Sequence, residues 1–170
     1  MKFLKKIFSI FLLSFLFASQ LNSMEPIGYV DIDFIIKNSD IGKKTLEKIN
    51  NLNQQNIDDL KNKEKILKDL EQQIANKKNV ISKKVLDEEI VIFRKKVDEF
   101  KNDQKKIIND FNKFKEKEIQ IIFKKISPII NSYMEKNSLK ILFDAKNIFM
   151  ARNDLNLTND ILKEINQEIK

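Results

Sequence analysis

The sequence predicts an α+β protein: a small strand-based oligomerisation body, and from each protomer a long antiparallel helical-hairpin arm. Three observations carry this. Residues 43–127 contain neither glycine nor proline, because Gly28, Gly42, Pro26 and Pro128 all lie at or outside the edges of that run. Gly and Pro are the strongest interrupters of helices, so so long a stretch without them points to unusually long helices. Short β-branched and aromatic segments occur only at the two ends of the chain. Between them, apolar residues recur at alternating steps of three and four, the spacing of a coiled-coil seam.

At the N-terminus, Lys2, Lys5 and Lys6 precede an apolar stretch, Ile7 to Phe17, broken only by serines, and small residues follow at Ala18, Ser19 and Ser23. This is the pattern of a cleavable signal peptide over residues 1–23, with cleavage expected after Ser23, and of export to the periplasm. The apolar stretch is shorter than the roughly 20 residues of a membrane span. An uncleaved N-terminal anchor is the alternative.

After Pro26, Ile27-Gly28-Tyr29-Val30-Asp31-Ile32 reads as a strand, with Asp33 capping a short helical turn through Phe34, Ile35 and Ile36. Asn38-Ser39-Asp40 offers cap chemistry for the outgoing helix, Ile41 to about Ala75. Its seam runs through Leu46, Ile49, Leu60, Leu67, Leu70 and Ile74, interrupted by Asn53, Asn56 and Lys63. A turn is expected near residues 76–79, within a tip placed at 76–82. The returning seam is cleaner: Leu86, Ile90, Phe93, Val97, Phe100, Ile107, Phe111, Phe114 and Ile121, with Gln104 and Glu118 as polar guests. Such a seam requires a partner helix, and the outgoing helix is the nearest candidate. About 36 residues at 1.5 Å each make an arm roughly 55 Å long. One continuous rod is the alternative. Pro128 removes a backbone donor within the returning helix and is expected to steer it onto the body. Leu139 to Phe143 reads as a second strand, Ile148 to Ala151 as a shorter third. Asn156 or Thr158 then caps a last helix ending near Ile169. The arm is thus 41–135, and the body 24–40 with 136–170.

Composition narrows function. The chain has no His and no Cys, which excludes a Ser-His-Asp triad, a Cys-His pair and the usual zinc sites. Two glycines cannot build a glycine-rich phosphate loop. The acids are scattered along polar helix faces, so no enzyme activity and no cofactor are expected. The formal charge of +7 falls to +4 once Lys2, Lys5 and Lys6 are removed. Among 32 basic residues only Arg94 and Arg152 are arginine, against the arginine preference of nucleic-acid surfaces, and no nucleic-acid partner is expected.

So small a body buries little surface, and isolated short strands are marginal in water. The first strand is apolar on both faces, and the second carries a further apolar cluster. Ile27, Tyr29, Val30, Ile32, Ile141, Leu142 and Phe143 are therefore expected to be covered by oligomerisation. On the arm, the phenylalanines at seam spacing are expected to pack against the partner helix. The off-seam Ile57, Ile92, Ile108 and Ile122 are the candidates for facing a bound protein. No acid occurs from Gln72 to Leu86, and Lys77, Lys78, Lys83 and Lys84 make a candidate cationic tip, suited to acidic partners or an anionic membrane surface.

Two terminal segments then resemble one family. "VDIDFIIKNSDIGKK", with Ser39, Gly42 and Lys43 leading into a long helix, is similar to the N-terminal signature of the Skp/OmpH family of periplasmic chaperones. "LKILFDAKNIFMARNDLNLTNDILKEIN" is similar to that family's closing strands and its entry to the last helix, except that Asn156 stands where the family pattern has Asp. The resemblance spans Met24–Lys170, the arms matching in pattern only. It implies a homotrimer with three hairpin arms around a cavity. It implies also an ATP-independent holdase that keeps unfolded outer-membrane β-barrel proteins from aggregating in transit. A secreted coiled-coil scaffold of the envelope, with one fixed protein partner, is the alternative reading.

Overall fold

The computed structural model describes residues 26–169; the expected signal peptide lies outside them. The elements run β1 (Ile27–Val30), α1 (Ile32–Asn38), α2 (Asp40–Lys77), α3 (Lys83–Lys136), β2 (Ile141–Asp144), two single 3-10 turns (Ala145–Asn147 and Asn153–Leu155) and α4 (Thr158–Glu168). β1 and β2 pair in parallel, Ile27 opposite Ile141 and Val30 opposite Asp144. Parallel neighbours need a long crossover connection. Here the whole α2–α3 hairpin is part of that connection, so the chain leaves the body at one strand and returns at the next. The hairpin, rather than a continuous rod, is what the sequence builds.

Cap chemistry sets the boundaries, and it moves several of the expected ones. The first strand stops at Val30, not Ile32. Asp31 turns the chain, its Oδ1 accepting from Phe34 N at 2.9 Å, while its own N–H donates to Thr158 Oγ1 at 2.9 Å instead of to a ladder. The cap of α1 is therefore Asp31, not Asp33. Ser39 closes α1 and opens α2 at once: its N–H donates to Ile35 O and its buried Oγ accepts from Gly42 N at 3.1 Å. Asp40 N donates to Asn166 Oδ1, tying α4 to this corner.

At the far end α2 continues to Lys77, and the turn occupies residues 78–82, overlapping the expected 76–79 and inside the expected tip at 76–82. Val80 and Ile81 donate back to Lys77 O, and Ser82 caps α3. Pro128 lies inside α3, and the neighbouring Ser127 Oγ donates to Phe123 O at 2.7 Å. α3 ends through Ser138 at φ 55°, a left-handed stop in which Leu139 N donates to Met134 O. That commitment keeps Leu139 out of the sheet, and β2 begins at Ile141. Ile148 to Ala151 is not a strand. Asp144 Oδ1 accepts from Lys146 N and turns the chain, and Ile148 N returns to Ala145 O, so this segment has no ladder partner among the described residues. At α4 it is Asn156 whose Oδ1 accepts from Thr158 N, because the Thr158 hydroxyl is engaged with Asp31.

The core joins both ends of the chain to the base of the arm. Val30, Ile35, Ile36, Ile122, Ile126, Ile161 and Ile165 form one buried cluster, with Ile32, Ile119, Ile130, Tyr133, Leu142 and Leu157 packed against it. Each such side chain contributes about 1.5–3 kcal/mol on burial. The body thus reaches up α3 well before residue 136. Beyond Glu118 the apolar spacing lengthens to steps of four, because α3 there faces α1 and α4 rather than α2 alone. Ile121 accordingly leaves the seam (36% exposed) and Ile122 enters the core.

Candidate functional site

The arm is a thin two-helix layer, and its seam residues, apart from the buried Ile49 near the body, are only half-buried. Leu86, Ile90, Phe93, Val97, Phe100, Ile107, Phe111 and Phe114 on α3 share this intermediate exposure with Leu60, Leu67, Leu70 and Ile74 on α2. Three ion pairs cross it, two of them using a polar guest of a seam, Lys63 or Glu118. Lys77 Nζ lies 3.1 Å from Glu89, Lys63 bonds Asp103, and Lys48 Nζ lies 2.7 Å from Glu118. The three pairs share one antiparallel register, each step of 14 or 15 residues along α2 matched by an equal step back along α3. Lys48 also sits 5.1 Å above the Phe114 ring, a cation–π geometry. The Lys63 hydrogen bond, reinforced by its charge, holds the Asp103 carboxyl below its ordinary pKa. These pairings were invisible in sequence beyond the guests themselves. Lys63 and Glu118 interrupted their seams, and Asp103 stands one residue before the interruption at Gln104.

Outside the seam the arm exposes large apolar side chains. Ile57, Ile92 and Ile108 are 38%, 55% and 50% exposed, joined by Ile66 and Val91, both 64%, which the sequence did not single out. The shared register sets Ile57 on α2 beside Ile108 on α3. Ile122 does not belong with them. It is fully buried among Ile35, Ile126, Ile161 and Ile165, because four-residue spacing places it under α1 and α4.

The tip carries Lys78, Lys83 and Lys84, exposed around Val80 (83% exposed) and Val85. Lys77 differs: its ammonium is paired with Glu89.

The third surface is the outer face of the sheet. Alternation along paired strands puts Ile27, Tyr29, Ile141 and Phe143 on one face and Val30 and Leu142 on the other. Val30 is covered almost completely by this chain's own helices, which removes it from the expected oligomerisation surface, and Ile32 and Leu142 are partly covered by them. Ile27, Ile141 and Phe143 are more than a third exposed. Beside them the 148–151 segment presents Phe149, wholly exposed, and Met150, and an open groove of ≈ 340 Å³ runs between Tyr29, Phe143, Met150 and Leu155. A Lys146–Asp33 ion pair, 2.6 Å, pins the start of this segment to α1, and its hydrogen bond lowers the Asp33 pKa.

Among the described residues no group of three or more acids could hold a metal ion, and no helix is long and apolar enough to cross a membrane. The arrangement offers broad, shallow, mixed apolar and charged surfaces, which suit binding of extended chains.

Comparison with known proteins agrees with this architecture. No curated protein is matched by the sequence. The fold is similar to the crystal structure, at 2.83 Å resolution, of a protein described as an OmpH-like outer membrane chaperone from Caulobacter crescentus CB15. The TM-score is 0.79 at 14% identity, over 87% of this chain and 88% of that one. The family model for outer membrane protein (OmpH-like) matches residues 26–165, which span the body, the whole arm and most of α4, and the chain therefore belongs to the OmpH-like family.

Proposed function

We propose that this chain is an ATP-independent periplasmic holdase that binds unfolded outer-membrane β-barrel proteins and keeps them from aggregating. The observation that carries the reading is the exposure of Ile57, Ile66, Val91, Ile92 and Ile108 on an arm whose own seam is already filled. Surplus apolar side chains set among lysines and acids give many weak contacts with an unfolded chain, and affinity accumulates without any single tight site. No nucleotide is needed for release when each contact is weak. Membership in the OmpH-like family, and the chaperone description of the structural neighbour, support the same reading.

The outer sheet face supports assembly. Ile27, Tyr29, Ile141 and Phe143, with Phe149 and Met150 beside them, make an apolar surface on a body too small to leave it in water. A homotrimer joined through these faces would bring three arms around one cavity. The test is the light-scattering mass of residues 24–170, alone and after addition of a urea-unfolded outer-membrane β-barrel. The expected result is a trimer that holds the β-barrel soluble in a discrete complex. A defined oligomer that lets the β-barrel precipitate would favour an envelope scaffold with a fixed partner, and a stable monomer would remove the assembly.

The tip serves capture. Lys78, Lys83 and Lys84 around Val80 and Val85 attract acidic segments of a client, and also suit an anionic membrane surface. Replacing these three lysines with Gln, and leaving the Lys77–Glu89 pair intact, is expected to slow capture by about tenfold at low ionic strength. The difference should vanish in high salt; equal stopped-flow rates at low salt would exclude the tip from capture.

A further inference from the structure

We propose that the base of the arm carries a site for the backbone of an extended polypeptide, formed by the side-chain amides of Asn51 and Gln55 beside an apolar floor of Leu52 and Phe114. Lys48 and Asp58 bracket a run of uncharged residues on α2, and between them stand Asn50, Asn51, Asn53, Gln54, Gln55 and Asn56. Asparagine is a weak helix former, because its side chain competes for backbone groups, yet α2 runs unbroken through this tract. The asparagines therefore weaken the helix, and Asn53 and Asn56 leave gaps in its seam. Every amide of the tract except Asn56 is exposed. Among the described residues, Gln54 is the one member with an intramolecular side-chain hydrogen bond, to Asp58 Oδ1 at 3.0 Å. Asn51 and Gln55 thus keep their full donor and acceptor capacity.

A second observation falls on the same residues. An open groove of ≈ 480 Å³ is lined by Asn51 and Gln55 together with Leu52 and Phe114, both half-buried. Its charged residues are already balanced. Lys48 is held by Glu118 and over the Phe114 ring, and Glu47 offsets Lys44. The groove has no net charge to draw an ion. Its ligand is neutral, with an apolar side chain for the floor and peptide groups for the amides.

The spacing specifies the form of that ligand. Asn51 and Gln55, four residues apart, project from one helix face about 6 Å from each other along the axis. In an extended chain every second residue turns its N–H and C=O to the same edge, a repeat of about 6.6 Å. Each side-chain amide can accept from one such N–H and donate to one such C=O, as a neighbouring strand would. The site reads backbone conformation and asks of the sequence only an apolar side chain, as the alternating strands of an unfolded β-barrel supply. This rests on the holdase reading and adds what the arm holds. An unpaired strand edge occupied here is withheld from a second client molecule.

A short peptide of alternating Val and Thr, and the same peptide N-methylated through its centre, test the site on the assembled protein. N-methylation removes the backbone donors of both edges and keeps the side chains. By fluorescence anisotropy the ordinary peptide is expected to bind about tenfold more tightly, and to shift the side-chain amide NMR signals of Asn51 and Gln55. In the Asn51→Ala, Gln55→Ala double variant this preference should fall below about twofold although the unfolding midpoint holds or rises, because alanine is the better helix former. Equal binding of the two peptides by the parent protein, or a preference that survives the double substitution, would overturn the proposal. The holdase reading is judged separately, by whether the parent protein keeps an unfolded β-barrel soluble, so either can fail without the other.

Discussion

Gly42→Ala is expected to break the junction between body and arm. A Cβ built on Gly42 would stand 1.8 Å from Ile36 O and 2.8 Å from Ser39 Oγ. The first contact is with backbone, which cannot rotate away, so α1 and α2 would have to separate. Separation would pull Ser39 off Gly42 N and would draw Ile35 and Ile36 out of the core, where both are buried. Overpacking alone costs about 1–3 kcal/mol, and the lost cap adds about 1 kcal/mol. Against a total stability of about 5–15 kcal/mol, this is a large fraction. Urea unfolding of Gly42→Ala should show a midpoint far below that of the parent protein. A midpoint within error of the parent would mean that the α1–α2 corner is looser than described.

Ile122→Ala is expected to have a comparably large effect, and it separates core from surface among four isoleucines that look alike in sequence. Ile122 is fully buried where α3 crosses α1 and α4. Truncation there removes about 2–5 kcal/mol, the transfer term together with the cavity left behind. Ile57→Ala, Ile92→Ala and Ile108→Ala should each stay within about 0.5 kcal/mol, because these side chains lie at exposed helical positions. Thermal unfolding of the four variants is the stability measurement, and aggregation of an unfolded β-barrel in their presence is the functional one. The holdase reading expects the triple surface variant to remain stable yet protect its client poorly. Full protection by a stable triple variant would direct attention to the seam or the tip instead.

The elements most legible in the sequence are those determined by local chemistry. Absence of Gly and Pro across residues 43–127 announced the two long helices, and the alternating three and four steps from Leu86 to Phe114 identified the returning seam. The cap before α2 was readable as one of Asn38-Ser39-Asp40, because a cap acts locally: the Ser39 hydroxyl takes an amide three residues away. Failures occurred where a distant partner decided the outcome. Thr158, 127 residues along the chain, takes the Asp31 N–H and ends β1 early. The delay of β2 has a local cause instead: Met134 O, five residues back at the end of α3, takes the Leu139 N–H. The 148–151 segment has strand composition but no ladder partner among the described residues, and composition alone cannot supply one.

By itself, then, the sequence determined that this protein is a strand-based body carrying a long helical hairpin, because helix continuity and amphipathic period are properties of neighbouring residues. Tertiary structure alone decided which isoleucines are core, which lysines are paired and which face of the sheet stays open. Ile122 and Ile108 have the same chemistry and lie on the same helix, and only the position of α1 and α4 buries one of them. Lys63 reads as a flaw in its seam until Asp103 is placed opposite. Burial and pairing are relations between residues far apart in the chain, and only the folded register brings their partners within reach.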